Sequence, residues 1–208
     1  WRSPPSRLVA AGSPRRRVVA RSQWLATTLA AMGSLIVVTG PPGAGKSAVA
    51  QVLAREAEHS VVVQGDSFFG FLASGAVDPW LPGSHDQNTV VTRAAAAAAG
   101  ALALGGYATV YDGVVGPWFL PTFGAATHLG RLDYVILLPS VDICVRRVAT
   151  RRDHGFTDDA ATRKMHAEFV GARVAERHVL CDRPQDAAKV AVLIESARAA
   201  GELNHTIR

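Results

Sequence analysis

The stretch Leu35–Val52, LIVVTGPPGAGKSAVAQV, constrains this chain more than any other. Four aliphatic residues, Leu35 to Val38, read as a buried strand. They run into Gly40-Pro41-Pro42-Gly43-Ala44-Gly45, and then into Lys46-Ser47 and a segment with helical periodicity. The pattern G-x-x-x-x-G-K-[ST] between a strand and a helix is the phosphate-binding P-loop. Its glycines let the backbone take positive φ and bring N–H groups against phosphate oxygens where a side chain would block the approach. The helix that follows aims its positive end at the anion. A simple strand-to-helix turn would explain the glycines, but neither the Lys-Ser pair nor its spacing.

The rest of the chain repeats the alternation. Val61-Val62-Val63 reads as a second strand, ending in Gln64-Gly65-Asp66-Ser67. Tyr107 to Tyr111 reads as a third, ending in Asp112-Gly113. Tyr134 to Leu138 is a fourth, and His178 to Cys181 a short fifth. Helical sequence lies between them: Lys46 to about Glu58, Gln87 to Leu104 with an interruption at Gly100, the segment after Ser140, about 160–171 capped by Asp158 or Asp159, and a last helix from near Pro184. Short apolar strands separated by helices predict an α/β fold, a three-layer P-loop NTPase with a five-stranded parallel sheet. Asp66 and Asp112 then close two strands at the edge where open α/β sheets bind ligands. Residues 67–87 break regular pattern: Phe68, Phe69 and Phe71 open a short helix, and Val77 to Gly83, with Pro79, Trp80 and Pro82, reads as a loop over that edge. The final residues look frayed.

Charge matters here only through its distribution. The formal net charge is +5, but residues 1–31 hold six arginines and no acid, and without them sixteen basic residues face seventeen acidic ones. The body is not basic, so a nucleic-acid partner is not expected. The arm begins with Trp1, and Met32 falls just before the first strand. It is read as a disordered Arg-rich extension or an upstream extension of the reading frame, with the functional domain at 32–208. No apolar run is long enough for a membrane span. Cys144 and Cys181 lack C-x-x-C spacing, which suits a reducing, cytoplasmic setting.

The P-loop admits several classes, and the remaining residues choose among them. There is no N-K-x-D motif for a GTPase. Asp112 is followed by glycine, where an AAA machine would carry a second acid, and no arginine follows soon enough for a nucleoside monophosphate kinase. Over about residues 34–199 the sequence resembles P-loop kinases of small hydroxylated molecules, similar to the chloramphenicol phosphotransferase-like group and related AAA-type kinases of actinobacteria. The resemblance rests on Gly40–Ser47, Asp66-Ser67, Asp112-Gly113 and the arginines around Arg147 to Arg152. It implies that Asp66 acts as general base.

The expected chemistry is transfer of the ATP γ-phosphoryl group to a small-molecule hydroxyl, with Mg²⁺. Nucleotide contacts are expected from Gly40, Pro41, Pro42, Gly43, Ala44, Gly45, Lys46, Ser47 and Ala48, with Arg152. Ser47 and Asp112 are the expected metal partners, and Arg147 and Arg151 the cations over the transferring phosphate. Trp80, Trp118 and Phe68 suggest a ring-bearing acceptor. Two alternatives stand beside this reading: a nucleotide-dependent regulatory module with no acceptor, and a zeta-toxin-like kinase of nucleotide sugars.

Overall fold

Every residue of β1 (Leu35–Thr39) is buried, as an apolar strand with helices on both faces must be. It is the central strand in the computed structural model, which describes residues 33–150, 158–181 and 186–207. On one side β1 pairs in parallel with β3 (Ala108–Asp112), itself paired with β2 (Ser60–Gln64). On the other side it pairs with β4 (Arg131–Leu137), which pairs with β5 (Val179–Leu180). The order is β2-β3-β1-β4-β5. These are the five parallel strands the sequence predicts, with their ends moved by up to three residues. Expectations that fall on residues 1–32, 151–157 and 182–185 lie outside the described residues.

The sheet departs from the all-parallel expectation at one edge. β5 covers only Ile136 and Leu137 of β4, which would leave the backbone groups of Arg131–Asp133 without partners. β6 (Asn204–Thr206), in the residues that look frayed in the sequence, pairs antiparallel with them. Among the described residues the sheet therefore has six strands.

Alternation along β1 divides the core in two. Leu35 and Val37 face one side, where they meet Ala95, Ala96 and Ala99 of α3 (His85–Leu104), Phe123 of α4 (Leu120–Thr127) and Phe169 of α6 (Asp159–Gly171). Ile36 and Val38 face the other, against Val49, Ala50 and Leu53 of α1 (Lys46–Arg55) and Val190 and Ile194 of α7 (Ala187–Ala199). Two further helices, α2 (Asp66–Phe69) and α5 (Val141–Thr150), follow β2 and β4.

Gly100 does not interrupt α3, which runs unbroken for 20 residues. It is the point where α3 touches α4: a Cβ there would lie 2.1 Å from the Thr127 carbonyl oxygen. Helix α4 itself was not legible in Gly116–Pro121. Pro121 sits in its first turn, where a missing N–H costs nothing, and His128 ends it at φ 57°. Asp158 caps α6 by accepting from the Ala161 N–H at 2.9 Å, as expected, and Asp186 caps α7 in the same way through Ala188.

The edge built by β4, β5 and β6 carries a histidine pair. His178 is buried and its Nδ1–H donates to the Tyr134 carbonyl at 2.9 Å, with the His205 ring 6.4 Å away. Burial, with Arg177 nearby, lowers the pKa of both rings below the ordinary 6.5. The unfolded chain therefore takes up protons at a higher pH than the fold does. These groups add nothing to the pH dependence above about pH 7 and cost stability as pH falls below 6.5, by up to about 1.4 kcal/mol per pH unit for each proton. Denaturation midpoints are expected to be flat from pH 8 to pH 7 and to fall toward pH 5.5, less steeply in His178→Gln. An equal slope in that variant would remove His178 as the cause.

Candidate active site

Register places the key residues on one edge. Asp112 at the end of β3 stands opposite Val38, two residues before Gly40, and opposite Gln64, two residues before Asp66. Adjacent strands lie about 4.8 Å apart, so the P-loop, Asp112 and Asp66 occupy three neighbouring strand ends. The Gly65 N–H donates to the Asp112 carbonyl at 2.8 Å and locks the end of β2 to that of β3.

The loop has the geometry a phosphate cradle needs. Gly40, Gly43 and Gly45 take φ of 143°, 76° and 97°. A Cβ at Gly40 would lie 2.2 Å from the Leu137 carbonyl oxygen, and one at Gly43 2.2 Å from that of Cys144. No side chain caps the N-terminus of α1, which follows Gly45, so its first-turn amides face the loop. Lys46 is buried and its ammonium donates to the carbonyls of Gly40 and Pro41, both at 3.1 Å. Ser47 is partly exposed on the first turn of α1 and Ala48 is exposed beside it.

Arg147 reaches back from α5, and its Nη1 donates to the carbonyls of Gly43 and Ala44 at 3.3 and 3.4 Å. The sequence reading sets Arg147 over the transferring phosphate. In the structure its guanidinium braces the loop from the β4 side. Arg151 and Arg152 lie outside the described residues.

Asp66 is exposed at the first position of α2. The Tyr111 hydroxyl lies against Gly65, the residue before Asp66: a Cβ on Gly65 would come within 2.2 Å of it. Burial, then the Asp66 and Asp112 carboxylates, push the Tyr111 phenol far above its ordinary pKa, so it keeps its proton.

The residues fit a bound magnesium nucleotide. Among the described residues there is no group of three or more His, Cys, Asp or Glu that could hold a metal by itself. Magnesium bound with a nucleotide needs no such cage, because phosphate oxygens and water fill most of its shell. Ser47, on the first turn of α1, and the buried Asp112, opposite Val38 of the P-loop strand, would offer such an ion a hydroxyl and a carboxylate oxygen.

The loop between α2 and α3 is tied to the start of α3. Gln87 exchanges two hydrogen bonds with the Val77 backbone, at 2.8 and 2.6 Å, and Asn88 Nδ2 donates to the Pro79 carbonyl at 2.8 Å. Asn88 therefore holds this loop. Arg93 is exposed farther along α3.

A family model described as an AAA domain matches residues 35–173. The chain belongs to this AAA-domain family. No match was found among curated proteins. Solved structures share the fold. The tunicamycin resistance protein of Deinococcus radiodurans is 13% identical with a TM-score of 0.57, over 79% of this chain and 94% of that one. A sugar kinase from Janibacter sp. HTCC2649 is 16% identical with a TM-score of 0.57, over 81% and 97%. A gluconokinase from Sinorhizobium meliloti 1021 is 18% identical with a TM-score of 0.57, over 83% and 94%. The AAA-domain chain thus has the architecture of the P-loop kinases. Among its described residues no helix is long and apolar enough to cross a membrane.

Three residues of this AAA domain escaped the sequence reading. Thr39 Oγ1 accepts from the Val115 N–H at 2.8 Å, and the Tyr134 hydroxyl donates to the Val115 carbonyl at 2.7 Å. Together they fix the loop that leaves Asp112 against the end of β1 and the middle of β4. In the sequence Tyr111 reads only as a strand residue. An aromatic hydroxyl immediately before Asp112-Gly113 was the available signal for it; Thr39 and Tyr134 carried none, since their partner lies 76 and 19 residues away.

Proposed function

We propose that this chain is a kinase that moves the γ-phosphoryl group of ATP to a hydroxyl of a small molecule. The observation that carries the reading is the exposed carboxylate of Asp66 on the same sheet edge as the P-loop and Asp112. The loop amides and Lys46 hold the phosphates, and Ser47 with Asp112 holds Mg²⁺, which offsets phosphate charge when bound. Asp66 orients the acceptor hydroxyl and takes its proton. The acceptor oxygen bonds to the γ-phosphorus as the bond to the β,γ-bridging oxygen breaks, and ADP leaves with that electron pair. The transition state is loose, so position and charge matter more than base strength. In this reading Arg151 and Arg152 meet the charge in flight, and Arg147 keeps the loop in place. The shared fold with a sugar kinase and a gluconokinase supports a small hydroxylated acceptor. The near-neutral body and the two free cysteines suit a cytoplasmic enzyme with no nucleic-acid partner.

The test is ADP release by the purified chain with Mg-ATP against a panel of sugars, antibiotics, nucleosides and other hydroxylated metabolites, with products read by mass spectrometry. At least one compound is expected to raise ADP release roughly tenfold or more and to gain one phosphoryl group. Release that no compound stimulates points instead to a nucleotide-dependent regulatory module.

A further inference from the structure

The loop fixed by Thr39 and Tyr134 continues past Val115 to Pro117 and Trp118. With Glu168, Gly171, Ala172 and Arg173, at and just beyond the end of α6, these two residues wall an open depression of about 700 Å³. That volume is within the range of small-molecule sites. Three features distinguish it from a plain surface hollow. The Trp118 indole is 43% exposed, yet it is held from behind by Phe169, with ring centroids 5.1 Å apart and planes at 57°. Gly116 allows that pose, because a Cβ at this position would come within 2.5 Å of three indole carbons. Glu168 and Arg173 share the wall with opposite charges, and neither takes part in an ion pair among the described residues.

We infer that this depression seats a neutral cyclic polyol, a pyranose-type ring, with its C–H face on Trp118 and neighbouring hydroxyls bonded to Glu168 and Arg173. The indole offers a flat apolar surface to a ring face. A carboxylate only accepts hydrogen bonds and a guanidinium only donates them, while a hydroxyl does both, so adjacent hydroxyls satisfy the two side chains together. The charges in the wall cancel, which favours a neutral ligand over a phosphorylated or cationic one. That this ring is the phosphoryl acceptor rests on the kinase reading above; its binding does not.

The experiment is calorimetric titration of the full chain, with a non-hydrolysable ATP analogue and Mg²⁺ present, using methyl glucopyranoside, N-acetylglucosamine and myo-inositol. Sorbitol and adenosine are the open-chain and nucleoside controls. At least one ring polyol is expected to bind saturably and the controls are not. Trp118→Ala and Glu168→Gln are each expected to weaken that binding roughly tenfold or more, with affinity for the ATP analogue unchanged. Since Trp118 packs on Phe169, the substitution at exposed Glu168 decides the matter if Trp118→Ala does not fold. The inference is overturned if no ring polyol binds, if Glu168→Gln leaves binding unchanged, or if adenosine or sorbitol binds in the ring's place. Phosphorylation of a compound whose binding ignores both substitutions would overturn this site and leave the kinase reading standing. Ring binding that depends on both residues, without transfer to any hydroxyl, would do the reverse.

Discussion

Lys46→Ala is expected to abolish phosphoryl transfer almost completely, lowering kcat/KM for ATP by roughly 10³-fold or more, about 4 kcal/mol of transition-state stabilisation. Two losses combine. In the kinase reading the ammonium is the loop's cation for the β- and γ-phosphates, and in a buried setting its charge is poorly replaced by water. It also donates to the carbonyls of Gly40 and Pro41 at 3.1 Å, so removing it frees the entry of the loop while leaving two carbonyl groups short of a donor. Lys46→Arg is not expected to rescue activity, because a planar fork cannot occupy the space of a compact ammonium under a tight turn. ADP release kinetics measure the effect, and a melting temperature within a few degrees of the parent separates it from unfolding. Transfer within a few-fold of the parent in Lys46→Ala would mean that the loop does not serve the nucleotide.

What the sequence discloses and what it hides follow the range of the forces involved. Gly40 and Gly43 are legible because no other residue fits: neighbouring carbonyls stand 2.2 Å from where a Cβ would be. Asp112 is legible because it closes a buried apolar strand, at the carboxyl end where open α/β sheets bind ligands. Arg147 is legible in the sequence as a cation after the fourth strand, but its anchorage on the Gly43 and Ala44 carbonyls is not, since that contact spans more than 100 residues. The bonds from Thr39 and Tyr134 to Val115 are of the same kind. β6 was hidden for another reason. Asn204-His205-Thr206 has no strand pattern of its own and is recruited by the part of β4 that β5 leaves uncovered. Local periodicity thus reveals the scaffold and the loop, whereas the residues that tune the loop are visible only once distant strands are side by side.

Asp66→Asn is expected to separate nucleotide binding from chemistry. The side chain is exposed and at the start of a short helix, so an isosteric amide removes a charge and a proton acceptor without opening a cavity. Affinity for ATP should stay within about twofold, because β3 stands between Asp66 and the P-loop strand and the phosphate contacts belong to the loop. Transfer to the acceptor should fall by roughly 10² to 10⁴-fold, the usual contribution of a positioned general base. The loss is expected in kcat, with the acceptor KM changed less, since an amide still hydrogen-bonds a hydroxyl but accepts no proton. Tyr111 stays neutral in the variant, because burial is the largest cause of its raised pKa and persists without the Asp66 charge. Calorimetry with an ATP analogue and transfer kinetics with an acceptor from the panel give the two numbers. A variant that binds ATP poorly would move Asp66 into the phosphate and metal site. One that binds ATP and still transfers at the parent rate would leave the reaction without this base, and the carboxylate at the end of β2 would then need another explanation.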